Sequence, residues 1–257
     1  MKALWSGYLT FGLVNIPVRL YGATHKGELS FHLLHRKCST PIKYGKFCPS
    51  CNINLEMADI VRGYEYEKGK FVIINEEELE NLQLKNLKNI EILKFVEPKD
   101  IDPIYLDKSY YLQPEEGAER AYCLLRTVMK RTNKIGIVRF VLKEREHIGA
   151  LRIFNDALTV QSILYSDEVM MPDVLNIPQR VHLDEKEIEL AEELLKHYTG
   201  RFNINEYRNE YREELMKLIK AKIAGKEIKV VPKKEVEKVV NLMDALKKSI
   251  EKKKKAV

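Results

Sequence analysis

Strand-like patterns of apolar and polar residues dominate the chain up to about residue 165. Residues 3–22 carry aromatic and branched side chains broken by glycines, which predicts two strands joined by a bend. Short apolar runs at 70–74 and 90–96 predict two further strands. Two prolines and several acidic residues predict an irregular excursion over 100–116, with one strand near Tyr110.

A helical period then interrupts the strands. Residues 117–131 are predicted to form a helix, because five apolar residues fall on one helical face: Ala121, Tyr122, Leu125, Val128 and Met129. Three strands are expected to follow, over 135–143, 147–154 and 157–165. The short polar turns between these runs indicate an antiparallel meander.

Two capping signals predict where further helices begin. Asn75 followed by Glu78 resembles a capping box, so we expect a short helix over 76–82. Asp184 followed by Glu187 is a second such signal. The helix after it presents an apolar face made of Ile188, Ala191, Leu194, Leu195 and Tyr198.

The C-terminal third is mainly helical in pattern. Residues 204–224 are predicted to form one more helix, whose aligned apolar residues are Tyr207, Tyr211, Leu215, Leu218 and Ile219. Strands followed by helices are typical of the α+β class. We therefore expect a barrel or sandwich body with a helical arm.

A narrow apolar stripe lies beyond that helix. Its members recur at alternating spacings of three and four: Val236, Val239, Met243, Leu246 and Ile250. Two heptads are too few for an independent coiled coil. The stripe therefore needs a groove on a partner, or it packs back on its own body.

Composition indicates a soluble globular protein. Of the 257 residues, 45% are hydrophobic and 32% are charged. There is no run of 18 apolar residues, which excludes a membrane-spanning helix, and the N-terminus has no small-residue cleavage site after an apolar run. The chain has four cysteines, too few for a disulfide framework. We expect a cytoplasmic protein with no membrane partner.

Positive charge is concentrated near the C-terminus. Residues 215–257 contain fourteen lysines and five acidic residues, a net charge of +9, and because the whole chain is +6 the rest is −3. The basic end favours a polyanion such as nucleic acid, although a solvated terminus has the same composition.

Three cysteines and a histidine form a candidate metal site between residues 32 and 51. His35 with Cys38, and Cys48 with Cys51, are two pairs of ligands with the spacing of a structural zinc site; His32 is an alternative to His35. Unliganded thiols and a disulfide are the other interpretations. Cys123 lies at the edge of an apolar helix face and is expected to be a buried thiol.

Catalytic signatures are weak. The sequence has no phosphate-binding glycine loop, nucleophile elbow or HExxH motif. Asp100, Asp102 and Asp107 are candidate Mg²⁺ ligands of a nuclease, but aspartate is also common in turns. We therefore expect a protein that is not an enzyme.

Basic side chains in the body are candidate phosphate contacts. On the strand expected at 135–145, Arg139, Lys143 and Arg145 share one face by their spacing. The remaining candidates surround the cysteines or lie on the next strand: Arg36, Lys37, Lys43, Lys46 and Arg152. Such contacts hold a nucleic acid without reading its bases, although a solvated strand face is equally consistent with this pattern.

Several long segments resemble prokaryotic Ku, the family of DNA-end-binding proteins of non-homologous end joining. They occur in the family's order: WSGYLTFGLVNIPVRLY, SFHLLHRKC, RGYEYEKGKFVIINEEEL, IDPIYLDKSYYLQPEEGAERAYCLLR and NLMDALKKSI. The resemblance covers about residues 2–250. It implies a β-barrel, an inserted bridge within the strand-rich middle, and a C-terminal helical arm.

The resemblance also implies a function. Two Ku-like chains form a homodimeric ring that threads a double-stranded DNA end without sequence preference. The segment 239–250 resembles the family's ligase-recruiting region, which would place Val239, Met243, Leu246 and Ile250 against an ATP-dependent DNA ligase. The weaker alternatives are a zinc-dependent regulator of one duplex site and the Mg²⁺ nuclease.

The resemblance suggests a division into three regions. The barrel and bridge would occupy 1–182, the helical arm 183–228, and the ligase-recruiting helix with its lysine-rich tail 229–257. Many family members have a CxxC near Cys48 and Cys51, which supports structural Zn²⁺. A DNA-binding role implies a cytoplasmic protein associated with the nucleoid.

Overall fold

The computed structural model describes residues 2–25, 27, 29–75, 77–78, 88–143, 145–178, 180–225 and 242–254. The chain forms two compact units, Met1–Met171 and Pro172–Val257. Within the described ranges, the strands and the helix Glu119–Thr132 belong to the first unit, and the helices Glu185–Tyr198, Glu210–Ile223 and Leu242–Lys254 belong to the second. The α+β class expected from the sequence is confirmed. The finer division at residues 182 and 228 stays a prediction.

Eleven strands occur among the described residues. In chain order they are β1 Trp5–Phe11, β2 Val14–Gly22, β3 Lys46–Cys48, β4 Ile53–Leu55, β5 Arg62–Glu67, β6 Lys70–Ile74, β7 Asn89–Val96, β8 Leu106–Pro114, β9 Ile135–Leu142, β10 Arg145–Phe154 and β11 Ala157–Ile163. Seven of them close into a barrel in the order β1-β2-β8-β11-β10-β9-β7. All neighbours in the barrel are antiparallel except β1 and β7, which pair in parallel and close it.

The barrel core follows from residue alternation. Successive side chains on a strand point to opposite faces, so every second residue of β2 is buried: Ile16, Val18 and Leu20. Val138 on β9 and Leu151 on β10 are completely buried in the same cluster. Closure leaves no open barrel edge.

One helix, α1 (Glu119–Thr132), completes the barrel core. Tyr122, Leu125 and Met129 from its predicted face are buried there, whereas Val128 is exposed. The Tyr122 hydroxyl donates to the Leu112 carbonyl at 2.9 Å and accepts from the Leu158 N–H at 2.7 Å. It thereby ties α1 to two barrel strands.

Cys123 is exposed, so the prediction that it is a buried thiol was wrong. It follows Tyr122 by one residue, which rotates its side chain by about 100° away from the buried face.

The chain leaves the barrel between β2 and β7 and forms two small hairpins there. β3 pairs with β4, and β5 pairs with β6, each as a separate two-stranded sheet. The predicted strand at 70–74 is therefore present as β6. The helix predicted over 76–82 lies mostly outside the described residues. Of its capping box, the Asn75 N–H donates to the Glu78 carboxylate at 2.8 Å.

The predicted irregular excursion over 100–116 is shorter than expected. Two 3-10 turns, Pro98–Asp100 and Pro103–Tyr105, lead directly into the nine-residue barrel strand β8. The Asp102 carboxylate accepts from the Ile104 N–H at 2.9 Å and fixes the second turn.

The second unit contains helices α2 (Glu185–Tyr198), α3 (Glu210–Ile223) and α4 (Leu242–Lys254). Asp184 caps α2 with the predicted capping box. α3 begins later than residue 204, because Asn209 caps it and a separate 3-10 turn precedes it at Ile204–Glu206. α4 packs against α2. No helix in the described ranges is long and apolar enough to cross a bilayer.

Candidate nucleic-acid interface

The first pair of proposed zinc ligands lies in a tight turn. The Ser39 N–H donates to the His35 carbonyl at 2.8 Å, and Ser39 takes a left-handed conformation with φ of 54°. The turn brings His35 Nδ1 within 3.0 Å of Cys38 Sγ. Hydrogen bonds from the Thr40 side chain and then from His35 lower the pKa of the Cys38 thiol to about 7.

The second pair lies in the β3–β4 hairpin. Cys48 ends β3, and the Asn52 N–H donates back to its carbonyl at 2.9 Å, which folds Cys51 over Cys48. Hydrogen bonds from the Cys51 N–H and thiol lower the pKa of the Cys48 thiol. Both effects favour a thiolate, the form that binds metal.

The structure brings the four residues together only as two pairs. Among the described residues there is no group of three or more side chains positioned to hold a metal ion. Imidazole and thiolate donors suit Zn²⁺ in chemistry, and each pair is formed, so structural zinc stays a prediction. His32 is exposed.

Four of the predicted phosphate contacts lie on the segment between β2 and β7, which we call the insertion. Arg36 and Lys37 occupy the histidine–cysteine turn, and Lys43 and Lys46 precede or begin β3. All four are exposed. The insertion therefore offers a group of cations that belongs to no barrel strand.

The three cations predicted to share one face of a strand do not share it, and that prediction was wrong. β9 ends at Leu142, Lys143 lies in the turn with φ of 53°, and Arg145 begins β10 opposite Leu142. Leu142 is a core residue, so Arg145 lies on the inner side of the sheet while Arg139 lies on the outer side. The hairpin turn, not visible in the residue spacing, causes the difference.

Arg139 and Arg152 lie on the outer face of the barrel. Arg139 forms an ion pair with Glu91 on the neighbouring strand, at 2.8 Å, and the carboxylate raises the pKa of the guanidinium. Arg152 lies opposite Thr159, and its buried Nε has no hydrogen-bond partner in the described part of the chain. Glu91 therefore engages one nitrogen of the Arg139 guanidinium, whereas no hydrogen bond between described residues holds Arg152 Nε.

Two of the three nuclease candidates have capping roles. The Asp100 carboxylate accepts from the Glu97 N–H at 2.9 Å, and Asp102 fixes the next turn. Turn formation explains the positions of these two residues. Asp107 instead lies on β8, 4.0 Å from the Lys108 ammonium.

The sequence interpretation missed a row of cations that begins just before α3 and continues along it. An open groove of about 660 Å³ runs along one face of this helix, and the cations that line it are Arg208, Arg212, Lys217 and Lys220. Three of them recur with a spacing of four or eight residues. A spacing in multiples of four places side chains on one side of a helix, so the sequence does contain this signal.

The proposed ligase-recruiting stripe is partly covered. Ile250 is only 6% exposed, and Met243 and Leu246 are half-buried on the helix that packs against α2. Val236 and Val239 lie outside the described residues. The described part of the stripe thus lies on a helix that packs against its own arm, so a ligase that binds Ile250 would have to displace α2.

Comparison with known proteins identifies the family. The family model of the Ku70/Ku80 beta-barrel domain matches residues 10–192. A non-homologous end joining protein Ku from Symbiobacterium thermophilum is 42% identical over 252 residues, which cover 97% of this chain and 63% of that protein. The Archaeoglobus fulgidus protein of the same name is 40% identical, with 98% and 99% covered, and the Heliobacterium modesticaldum protein is 38% identical, with 98% and 92% covered. This chain belongs to the Ku family.

Proposed function

We propose that two copies of this chain form a ring that binds double-stranded DNA ends without sequence specificity and recruits an ATP-dependent DNA ligase for end joining. The observation that carries the proposal is the match, over nearly the whole chain, to relatives named for non-homologous end joining. We assign the protein no catalytic activity of its own. It would act in the cytoplasm, at the nucleoid.

Apolar surface on the insertion supports the homodimer. Every described residue of β5 is exposed, as are Phe71, Val72 and Ile73 on β6. A two-stranded ribbon has two faces and no second layer of its own to cover either. Tyr64 and Phe71 lie on opposite faces of this ribbon, because Tyr64 pairs with Val72 and the adjacent positions alternate. A second copy of the chain would bury them.

The arm supports the same conclusion. Phe202 and Tyr207 stack at 5.7 Å between ring centroids, yet both remain largely exposed, as does Tyr211. An obligate dimer typically buries more than about 2,000 Å². Exposed aromatic residues on both the insertion and the arm provide apolar area for such an interface.

The chemistry of an end binder suits the cations described above. Phosphate oxygens are the same at every broken end, so a protein that must hold any end contacts backbone and not base edges. The exposed residues Arg36, Lys37, Lys43 and Lys46 meet that requirement. They would hold the duplex electrostatically, while enclosure in a ring would prevent lateral dissociation.

Threading is tested by comparing DNA topologies. The protein should bind a linear duplex strongly and the covalently closed circle of the same sequence weakly, because a closed circle has no end to enter the ring. The matched control is the same circle cut once by a nuclease. Equal affinity for closed and cut circles would contradict threading.

Ligase recruitment is tested by truncation. Deleting residues 233–257 should preserve end binding but abolish stimulation of an ATP-dependent end-joining ligase. Deleting only residues 252–257 removes lysines but keeps the stripe, and it should leave stimulation intact. If the variant that lacks residues 233–257 still stimulated the ligase fully, the proposed role of Met243, Leu246 and Ile250 would be contradicted.

Zinc is proposed as a structural ion held by His35, Cys38, Cys48 and Cys51. It would cross-link the turn and the hairpin of an insertion that has little core of its own. Elemental analysis should find about one zinc per chain, and the double variant Cys48→Ser, Cys51→Ser should lose it. Cys123→Ser is the control and should retain zinc. A metal-free wild-type protein of unchanged melting temperature would contradict the proposal.

A further inference from the structure

The groove along α3 is a concentrated positive surface in the arm. Four cations line it, and Glu213 is the single carboxylate among its described lining residues, so the groove has a net charge of +3. Met216 is the half-buried apolar residue among them. On the helix, Arg212, Met216 and Lys220 follow one another at intervals of four residues and therefore lie on one face.

Most of this charge is not neutralised within the part of the chain that the structure describes. Lys217 pairs with Glu214 at 2.7 Å, an exposed pair of the kind that water weakens. The other ion pairs between described residues include none with Arg208, Arg212 or Lys220. These three side chains are exposed.

The spacing of the cations fits a phosphate backbone. A helix rises about 1.5 Å per residue, so Arg212 and Lys220 are separated by about 12 Å along α3, with Arg208 just before the helix begins. Duplex DNA carries about one charge per 1.7 Å of its axis, and several phosphates therefore fall within this length. Guanidinium groups bind phosphate oxygens through paired N–H donors.

We propose that this face of α3 contacts the phosphate backbone of the bound DNA. The inference rests on the proposed function and extends it from the insertion to the arm. Duplex DNA is favoured over an acidic protein because arginine anchors of protein interfaces lie in well-packed, desolvated pockets. Arg208 and Arg212 are exposed, and the groove has one half-buried apolar residue and no aromatic residue to exclude water around them.

The contact would also explain how a body of low charge holds DNA. Residues 1–214 are −3 overall, whereas 215–257 are +9, and α3 contains the boundary between them. Two of the groove cations, Lys217 and Lys220, belong to the basic segment. The arm would thus supply part of the electrostatic attraction that the barrel lacks.

The test measures the salt dependence of binding to a short linear duplex with the full-length protein. The variant Arg208→Ala, Arg212→Ala, Lys220→Ala should reduce the slope of log K against log salt by about 2.7 for each arm that contacts the duplex, since each phosphate contact contributes about 0.9. The control Lys186→Ala, Lys196→Ala, Lys222→Ala removes the same charge from exposed positions outside the groove. Its slope should match that of the wild type.

A second variant separates a phosphate contact from a structural role. Arg208→Lys, Arg212→Lys keeps the charge and should retain the wild-type slope. The inference is overturned if the alanine and control variants have equal salt slopes, or if the slope of the lysine variant falls as far as that of the alanine variant. It is also overturned if the alanine variant binds DNA like the wild type and loses only ligase stimulation, which would indicate a protein partner. A wild-type chain that does not bind DNA ends would instead refute the proposed function.

Discussion

The barrel and the β5–β6 ribbon are built from the same residue types but bury them to very different extents. Val18 and Val138 in the barrel are completely buried, whereas Val72 on β6 is 48% exposed and Phe71 is 62% exposed. In the barrel each strand has neighbours on both sides and a closed interior. The ribbon is an isolated pair of strands.

The difference shows which part of the molecule is stabilised by its own chain. Burial of apolar surface contributes roughly 25 cal/mol per Å², and the barrel obtains this contribution from its own inner face and from α1. The ribbon gains little of it within one chain. Its exposed apolar residues are those that the proposed homodimer would bury, whereas those of the barrel stabilise the fold of one chain.

The largest expected effect comes from removing a barrel core side chain. Leu151→Ala should lower the free energy of unfolding by about 2–5 kcal/mol, because it leaves a cavity in a fully buried cluster. Phe71→Ala on the ribbon should leave unfolding of the barrel nearly unchanged and weaken self-association. Urea unfolding and sedimentation velocity measure the two quantities. If the Phe71 variant were as unstable as the Leu151 variant, the ribbon would contribute to folding of the barrel, contrary to this expectation.

A smaller loss is expected from the link between α1 and the barrel. Tyr122→Phe removes a hydroxyl that serves the Leu112 carbonyl and the Leu158 N–H, and leaves these buried groups unpaired. The cost should be about 1–3 kcal/mol. Tyr44→Phe, at an exposed position of the insertion, is the control and should have no measurable effect in urea unfolding. Equal behaviour of the two variants would mean that the hydroxyl does not stabilise the barrel.

The stability of the arm should fall when helix α2 loses its N-terminal cap. Asp184→Ala removes the carboxylate that accepts from the Lys186 N–H and should cost about 1 kcal/mol. The barrel core should be unaffected, since the effect is local to α2. Asp184→Asn keeps a capping oxygen and should restore most of the stability in thermal unfolding followed by circular dichroism. No difference between the alanine and asparagine variants would exclude capping as the cause.

The smallest effect concerns a surface carboxylate of the barrel unit. Lys99 first, and then Lys134, lower the pKa of Glu97, to which they pair at 2.8 and 3.4 Å. When the pKa of a carboxyl is lower in the folded state than in the unfolded state, the group stabilises the fold at any pH above its unfolded-state pKa. This stabilisation disappears as the pH falls through the folded-state pKa. Glu97→Gln should therefore be slightly less stable than wild type at pH 7 and equal to it below the usual titration range of glutamate. A difference that persists in acid would contradict this assignment.

Much of the fold could be predicted because its causes are local. The bend between β1 and β2, the meander from β9 to β11, and the capping box of α2 each depend on residues within a few positions of one another. Helix α1 was predicted because its apolar residues recur on one face. The residue patterns alone left the body as a barrel or a sandwich. The resemblance to Ku indicated the barrel and the family.

The candidate site was predicted less well, because its geometry depends on pairing. Arg139, Lys143 and Arg145 are separated by four and two residues, as on one face of a single strand. A hairpin turn instead contains Lys143 and places Arg139 and Arg145 on two strands and opposite sides of the sheet. The sequence spacing predicts that His35, Cys38, Cys48 and Cys51 hold one zinc ion, and the structure brings them together as two separate pairs. It contained no information on the distance between the turn and the hairpin that hold them.

The sequence by itself determined the element types, the caps and the places where charge collects, since propensity, periodicity and composition act over a few residues. Only the tertiary structure decided that β1 meets β7 in parallel, about eighty residues away, and so closes the barrel. The same long-range packing decided that Leu151 lies inside while Phe71 stays exposed. Burial depends on which surfaces meet, and chain entropy and packing settle that choice over the whole fold.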